Sequence, residues 1–536
     1  MTKMIHTREP HPSRAASMES RMSHRIDRRR AILGSAAFAA AMTSPLVARA
    51  ASPKAEGEYR TAHQLTAALF DRKVSSTELV DRAIARIEAR DHELNAVVVR
   101  DFERARAAAA AADAALARGE RRPLLGLPIT VKEAFNVAGL PTTWGISAFK
   151  GWQPAQDALA VTRLRAAGAV ILGKTNIPVA IGDWQSFNDV YGTTNNPWDL
   201  GRTPGGSSGG AAASVAAGYV ALELGSDLNG SIRQPAHCCG VFGHRPSTGL
   251  VPLHGHVPPR SPATAADGTV GLGVVGPLTR TADDLELALG LIAGPDDADG
   301  LAYRLTLPPS RRERLAEFRV LVVDAHPLMP TAHAVGDALD RLVEKLVRQG
   351  AHVARTSPLL PDLARAARLH QKLVIAFSQA FAPPGDYRRI EAAAAHLSPD
   401  DQSLAAWRQR VMSHREWIAA NAERERLQDQ CRALFKEFDV VLCPPAVTPA
   451  FPHDHNPDPN ARLIDIDGKT YPYRDQSVWH SLATAPGLPA TVAPIDRGDS
   501  PLPIGVQIVG PYLEDHTTIA FARLIEREFG GFAPPP

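Results

Sequence analysis

Hydrophobic and polar positions change period several times along this 536-residue chain. From Thr61 to Arg118, apolar residues recur at three- and four-residue spacing, as in TAHQLTAALF and STELVDRAIARIEARDHELNAVV, which predicts helix. LLGLPITVKEAF breaks that period and reads as a short buried strand delivering Lys132. GAVILGKTNIP reads as a second apolar strand bounded by glycine, and GGAAASVAAGYVALELGSD as a helix of small residues followed by a strand. Phe318 to Arg355 predicts a strand, helix, strand unit, and Gln402 to Phe438 a long amphipathic helical stretch. DVVLCPP and PLPIGVQIVGP read as late core strands. Apolar strands alternating with helices predict an α/β layered architecture, with residues 302–438 as a helical insertion or cap.

The first fifty residues follow a different rule. Arg28, Arg29 and Arg30 precede an apolar stretch from Ala31 to Met42, and Ala48-Arg49-Ala50 follows: the basic, apolar and small-residue regions of an export signal. Paired arginines followed by Ala31-Ile32-Leu33 match the twin-arginine type. The apolar stretch falls well short of the ~20 residues that span a bilayer. Residues 1–50 are expected to be a signal peptide cleaved after Ala50, leaving no stable membrane anchor. The remainder, 51–536, is then a single domain acting in the periplasm or outside the cell.

Composition narrows the partners. A chain with 44% hydrophobic residues can bury a large core. Its 59 Lys and Arg against 57 Asp and Glu are interspersed, so no charge field exists to draw nucleic acid, which is excluded as a partner. Adjacent Cys238 and Cys239 cannot easily bridge each other, and with Cys431 and Cys443 they form no metal spacing. Buried thiols are expected. His453 and His455 flank Asp454 in a Pro-rich stretch and read as a solvated loop rather than a metal site.

Two familiar patterns point elsewhere. Gly168 to Thr175, GAVILGKT, matches the phosphate-loop spacing. Its central Ala-Val-Ile-Leu calls for a buried strand, and Pro178 stands where the phosphate-binding helix should continue, so no nucleotide site is expected. GGSSGG, Gly205 to Gly210, contains G-x-S-x-G in two frames. A nucleophile elbow follows an apolar strand, whereas NNPWDLGRTP precedes this serine pair.

Several longer segments belong together: GLPITVKEAFNVAGLPTTWG, GAVILGKTNIP, YGTTNNPWDLGRTPGGSSGG, GSDLNGSIRQPAHCCGVFGHRPSTG, GVVGPLTRTADDLELALGLIAGP, and PGLPATVAPI followed by LPIGVQIVGP. In this order they resemble the amidase signature family of serine hydrolases over nearly all of the chain after residue 50. The resemblance implies an α/β/α fold, a large mixed central sheet between helices, with the signature core at about residues 125–300. It implies no cofactor and no metal.

The resemblance also assigns roles. Ser231, in the GSIR segment, is the implied nucleophile. Ser207, on a cis peptide bond, is the implied proton relay, and Lys132 the implied base. A lysine at its free pKa of ~10.4 is protonated at neutral pH. Burial without an acidic partner lowers that value, after which the amine can take the Ser231 proton through Ser207. Glu133 is expected on the opposite face of the strand. The implied oxyanion hole is made by the backbone N–H groups of Leu228, Asn229, Gly230 and Ser231. Asn229 departs from the family, which usually has two glycines before the nucleophile. Asparagine tolerates left-handed backbone better than other non-glycine residues, so the hole can still form. Asp227, Arg233 and Ser208 are expected to hold the loop, and His237 and His244 to be structural.

The implied reaction is hydrolysis of a carboxylic amide by way of a Ser231 acyl-enzyme, with a small amide and water as the reactants. Trp144, Phe149, Trp152, Trp184 and Phe187, with Asn229, are expected around the acyl pocket, which favours apolar, aryl or alkyl amides. Esters, carbamates and C-terminal peptide amides stay open. So do a homodimer, a glutaminase subunit of a transfer-RNA amidotransferase, and an inactive binding protein; the export signal and the intact Lys132, Ser207 and Ser231 argue against the last two.

Overall fold

Short runs of branched apolar residues build one sheet of eleven strands in the computed structural model, which describes residues 59–261, 271–379, 384–396 and 409–536. In chain order they are β1 (Val97–Arg100), β2 (Pro128–Lys132), β3 (Val170–Thr175), β4 (Leu222–Asp227), β5 (Phe242–Arg245), β6 (Val274–Thr279), β7 (Arg319–Val322), β8 (His352–Ala354), β9 (Val440–Cys443), β10 (Ala490–Ile495) and β11 (Ile504–Val509). Across the sheet the order is β1-β3-β2-β4-β6-β5-β10-β11-β9-β7-β8. β2 runs parallel to both β3 and β4, while β4, β6, β5, β10 and β11 pair antiparallel in turn. The sheet is mixed, as expected. The proposed signal peptide lies outside the described residues.

Side-chain alternation along the strands divides the core into layers. Val170 and Leu172 of β3 join helices Ser76–Leu94 and Gly209–Ala216 on one face. Ile171 between them joins helices Ala282–Ile292 and Asp515–Phe529 on the other. Central strands covered on both faces have no polar side to show, which is why β2, β3 and β4 are buried throughout.

Two expectations change. The stretch 61–118 is not continuous helix. Asn95, at φ +52°, ends helix Ser76–Leu94, and Val97, Val98 and Val99 then form an edge strand antiparallel to β3. The β-branched run outweighs the helical period around it. Residues 302–438 do not stand apart as a helical cap, because they supply β7 and β8 to the main sheet. Helices Leu363–Gln379 and His414–Glu437 cover that end of it, against Leu321, Val441 and Cys443.

Candidate active site

The chemistry collects beyond the C-terminal ends of the parallel strands β2 and β4, where open α/β sheets place their ligands. Lys132 is the last residue of β2 and is fully buried. Its Nζ lies 2.7 Å from Ser207 Oγ, 2.9 Å from Ser226 Oγ and 3.4 Å from the Ser226 carbonyl. No carboxylate is among these partners. Burial brings the Lys132 pKa down to about 7 against an opposing pull from Asp227. Its neighbour Glu133 faces away, accepting hydrogen bonds from Thr143, Trp144 and Tyr191.

Ser207 follows a cis Gly206–Ser207 peptide, as expected. Helix Gly209–Ala216 begins two residues later and is buried along its whole length. Only small side chains fit there: a Cβ on Gly210 would stand 2.4 Å from the Asn176 nitrogen. Ser208 ties the two serine loops together. Its N–H donates to the Ser231 carbonyl at 3.1 Å, and its hydroxyl donates to the Ser226 carbonyl at 3.3 Å.

The nucleophile loop leaves β4 at Asp227 and enters helix Arg233–Cys239. Asp227 organises it. Its carboxylate accepts the N–H groups of Gly230 at 2.9 Å and Ile232 at 3.1 Å, and pairs with Arg233 at 2.9 and 3.0 Å. Burial would raise the Asp227 pKa, but Arg233 and Arg245 hold the carboxyl well below the usual carboxylate range. Ser231 keeps 7% exposure while Lys132 has none, so the expected nucleophile is reachable and the expected base is shielded.

The loop corrects the expected oxyanion hole in two respects. The Gly230 N–H is committed to Asp227. Among the described residues, the N–H groups of Leu228, Asn229 and Ser231 have no protein acceptor and are left free, as the expected oxyanion hole requires. Asn229 does not adopt the left-handed conformation; Gly230 does, at φ +87°. A side chain there would also strike His480, since a Cβ would lie 2.2 to 2.4 Å from its ring atoms. Among the described residues, the Asn229 Oδ1 has no hydrogen-bond partner and is buried.

The predicted pocket aromatics scatter. Trp184 reaches the loop, its indole N–H donating to the Asn229 carbonyl at 2.8 Å. Trp144 is 9% exposed and packs with Ala134 and Ile177 behind β2, its indole bonded to the Ala134 carbonyl. Phe187 stacks on His455 with ring centroids 4.1 Å apart. Phe149 lies beneath Arg260, in a short turn that ends just before the half-buried Trp152.

The remaining histidines, cysteines and lysine singled out in the sequence are engaged as follows. His237 bonds the Thr448 carbonyl and the Gly505 N–H, and burial takes its pKa down to about 4. His244 bridges Thr491 and Asp515. All four cysteines are free and buried. His453 bonds Asn195. Within GAVILGKT, Lys174 is buried and held by the Pro141 carbonyl and Thr142 hydroxyl at 2.6 Å, so its ammonium is not offered to a phosphate. Sequence reading overlooked Ser226, which lay in plain sight between Gly225 and Asp227, and His480, more than two hundred residues away, which no local signal marks.

Comparison with known proteins agrees with this geometry. The Amidase family model matches residues 78–519. A glutamyl-tRNA(Gln) amidotransferase subunit from Anaeromyxobacter sp. (strain K) is 35% identical over 493 residues, covering 86% of this chain and 95% of that protein. A bacterial aryl acylamidase of the amidase signature family superposes with a TM-score of 0.73 at 26% identity, over 88% of this chain and 96% of its own. The corresponding glutamyl-tRNA(Gln) amidotransferase subunit from Thermotoga maritima does so with a TM-score of 0.70 at 25% identity, over 89% and 98%. With its lysine and serines gathered at the ends of β2 and β4, the chain belongs to the amidase signature family of amide-hydrolysing enzymes.

Proposed function

We propose that this protein is a self-sufficient amidohydrolase in which Ser231 forms the acyl-enzyme, Ser207 relays protons and Lys132 is the base. The observation that carries the reading is the 2.7 Å contact between Ser207 Oγ and a fully buried Lys132 that hydrogen-bonds no carboxylate among the described residues. A lysine whose pKa falls to about 7 is substantially neutral at physiological pH and can accept a proton. Ser231 Oγ attacks the amide carbon as its proton passes to Ser207, whose own proton passes to Lys132. The tetrahedral oxyanion is stabilised by free N–H groups of the Leu228 to Ser231 loop. Collapse breaks the C–N bond, the amine departs with the proton returned through Ser207, and water hydrolyses the ester by the same route.

Trp184, whose indole meets the loop at the Asn229 carbonyl, supports aryl or alkyl amides as the substrate class. Esters and carbamates present the same carbonyl to the same apparatus. The basic, apolar and small-residue order of residues 1–50 supports export and cleavage after Ala50. A fluorophosphonate should label Ser231, and a purified-enzyme screen of anilides, fatty amides, peptide amides, carbamates and esters, with Ser231→Ala as control, identifies the substrate. Labelling of another serine, or turnover surviving Ser231→Ala, sinks the assignment.

The 35% identity to an amidotransferase subunit favours a second reading: a glutaminase that works within a complex. Amide hydrolysis by the isolated chain decides for the first reading. Glutamine hydrolysis only in the presence of partner subunits decides for the second.

A further inference from the structure

We propose that Trp184 is a positioning residue for the oxyanion loop: its indole and the Asp227 carboxylate hold opposite edges of the Asn229–Gly230 peptide and thereby set the direction of the Asn229 and Ser231 N–H groups. The inference rests on the amidase reading above.

The peptide unit is planar and trans, so its C=O and N–H point in opposite directions. Both ends are taken here. The carbonyl of Asn229 accepts from Trp184 Nε1 at 2.8 Å, and the N–H of Gly230 donates to Asp227 Oδ1 at 2.9 Å. This plane has a particular need of such a grip, because Gly230 sits at φ +87°, and glycine restrains its own backbone least. The two adjoining peptides carry the N–H groups of Asn229 and Ser231. Rotation of the gripped plane would turn both away from the carbonyl oxygen they are to stabilise.

Trp184 is itself held from several sides. Its backbone N–H donates to Asp183 Oδ1 at 2.7 Å, the same oxygen that accepts the Tyr473 hydroxyl at 2.6 Å, while Arg462 binds the other oxygen of Asp183. The indole packs against Tyr473 with ring centroids 5.7 Å apart. Next along the chain, Gln185 pairs both ways with the Asp454 backbone, at 2.8 and 2.9 Å. The segment also abuts the relay serine's loop: a Cβ on Gly206 would stand 2.4 Å from the Asp183 carbonyl and 2.7 Å from the Trp184 carbonyl carbon. One stretch, 183–185, therefore references the loop bearing Ser231 to the loop bearing Ser207. Preorganised donors act only while their direction is maintained as charge develops.

The test separates alignment from pocket lining. Wild type and Trp184→Phe, which removes the N–H but keeps an aromatic ring, are compared on whichever of acetyl, benzoyl and decanoyl p-nitroanilide the wild type cleaves fastest. Phenylboronic acid, which forms a tetrahedral adduct with a serine nucleophile, serves as the transition-state probe. Replacement of Trp184 by benzothienylalanine, which is isosteric but lacks the N–H, is the second variant should the phenylalanine protein fold poorly. The expected result is a kcat lowered about 10- to 100-fold, a KM within about twofold of wild type, and boronate affinity falling in step with kcat. Wild-type kcat in either folded variant overturns the proposal. So does a loss confined to KM with boronate affinity intact, which marks a pocket wall. A wild type that neither labels with fluorophosphonate nor turns over any amide overturns the amidase reading, and the positioning role with it.

Discussion

Lys132 Nζ and Ser207 Oγ, 75 residues apart in the chain, meet at 2.7 Å in a site from which solvent is excluded at the lysine. Burial takes the Lys132 pKa down to about 7, the range in which a proposed general base serves at neutral pH.

The pH profile follows from that value. Lys132 must be neutral to accept a proton, and a lowered lysine pKa means that the neutral form prevails above it. With kcat/KM measured from pH 5 to 9, the rate should rise about tenfold per unit below about pH 7 and level off above it. A profile flat across pH 6 to 8 counts against Lys132 as the base.

Removing the relay and removing the nucleophile should differ in degree. Ser231→Ala should abolish acyl-enzyme formation and lower kcat by about 10⁴-fold or more. Ser207→Ala and Lys132→Ala leave the nucleophile in place and should cost about 10² to 10⁴-fold. Intact-mass detection of the phosphonylated enzyme supplies the check, since slow labelling should persist in Ser207→Ala and vanish in Ser231→Ala.

Gly230→Ala adds a methyl where the backbone is left-handed and where His480 ring atoms lie within 2.4 Å. The combined backbone and overpacking cost is about 3 kcal/mol. Thermal unfolding should shift downward, and His480→Ala in the same chain should recover part of the loss by opening space. No recovery would show that the backbone conformation alone accounts for the cost.

Asp227→Asn strikes stability and activity together. Asp227 is the buried counter-charge of Arg233 and an acceptor for the Gly230 and Ile232 N–H groups. Loss of one partner from a buried pair costs about 3–5 kcal/mol. Denaturant unfolding should show a lower midpoint, and the protein that remains folded should turn over substrate slowly because its loop has lost that anchor.

Export is testable without any substrate. Replacing Arg29 and Arg30 with lysine should retain the protein in the cytoplasm, whereas the unaltered protein should be recovered from the periplasm with Ala51 as its first residue. Cytoplasmic recovery of the unaltered protein with its first fifty residues attached rejects the proposed signal.

Much of this was legible in the chain. Apolar runs such as PITVK and VILGKT are buried strands because no other element of that length hides branched residues on both faces, and the period-based reading of these strands holds. Lys132, Ser207 and Ser231 were marked by the family motifs around them. The period failed at Val97–Arg100, where local β-branching decided the matter; at 302–438 the strand, helix, strand reading of Phe318–Arg355 holds, and what failed is the cap, because membership of a sheet depends on pairing with strands elsewhere in the chain.

Pattern and motif along the chain specify most strand and helix segments of the core, the lysine and two serines that the proposed mechanism uses, and the glycine at 230 that permits the loop's turn. Folding alone establishes that the Gly230 N–H serves Asp227, that Trp184 bonds the Asn229 carbonyl, and that Phe187 packs on His455. The reason is physical. Burial follows from hydrophobic pattern and so leaves a trace along the chain, but a hydrogen bond depends on the direction of a single peptide plane, which is set by partners dozens or hundreds of residues away.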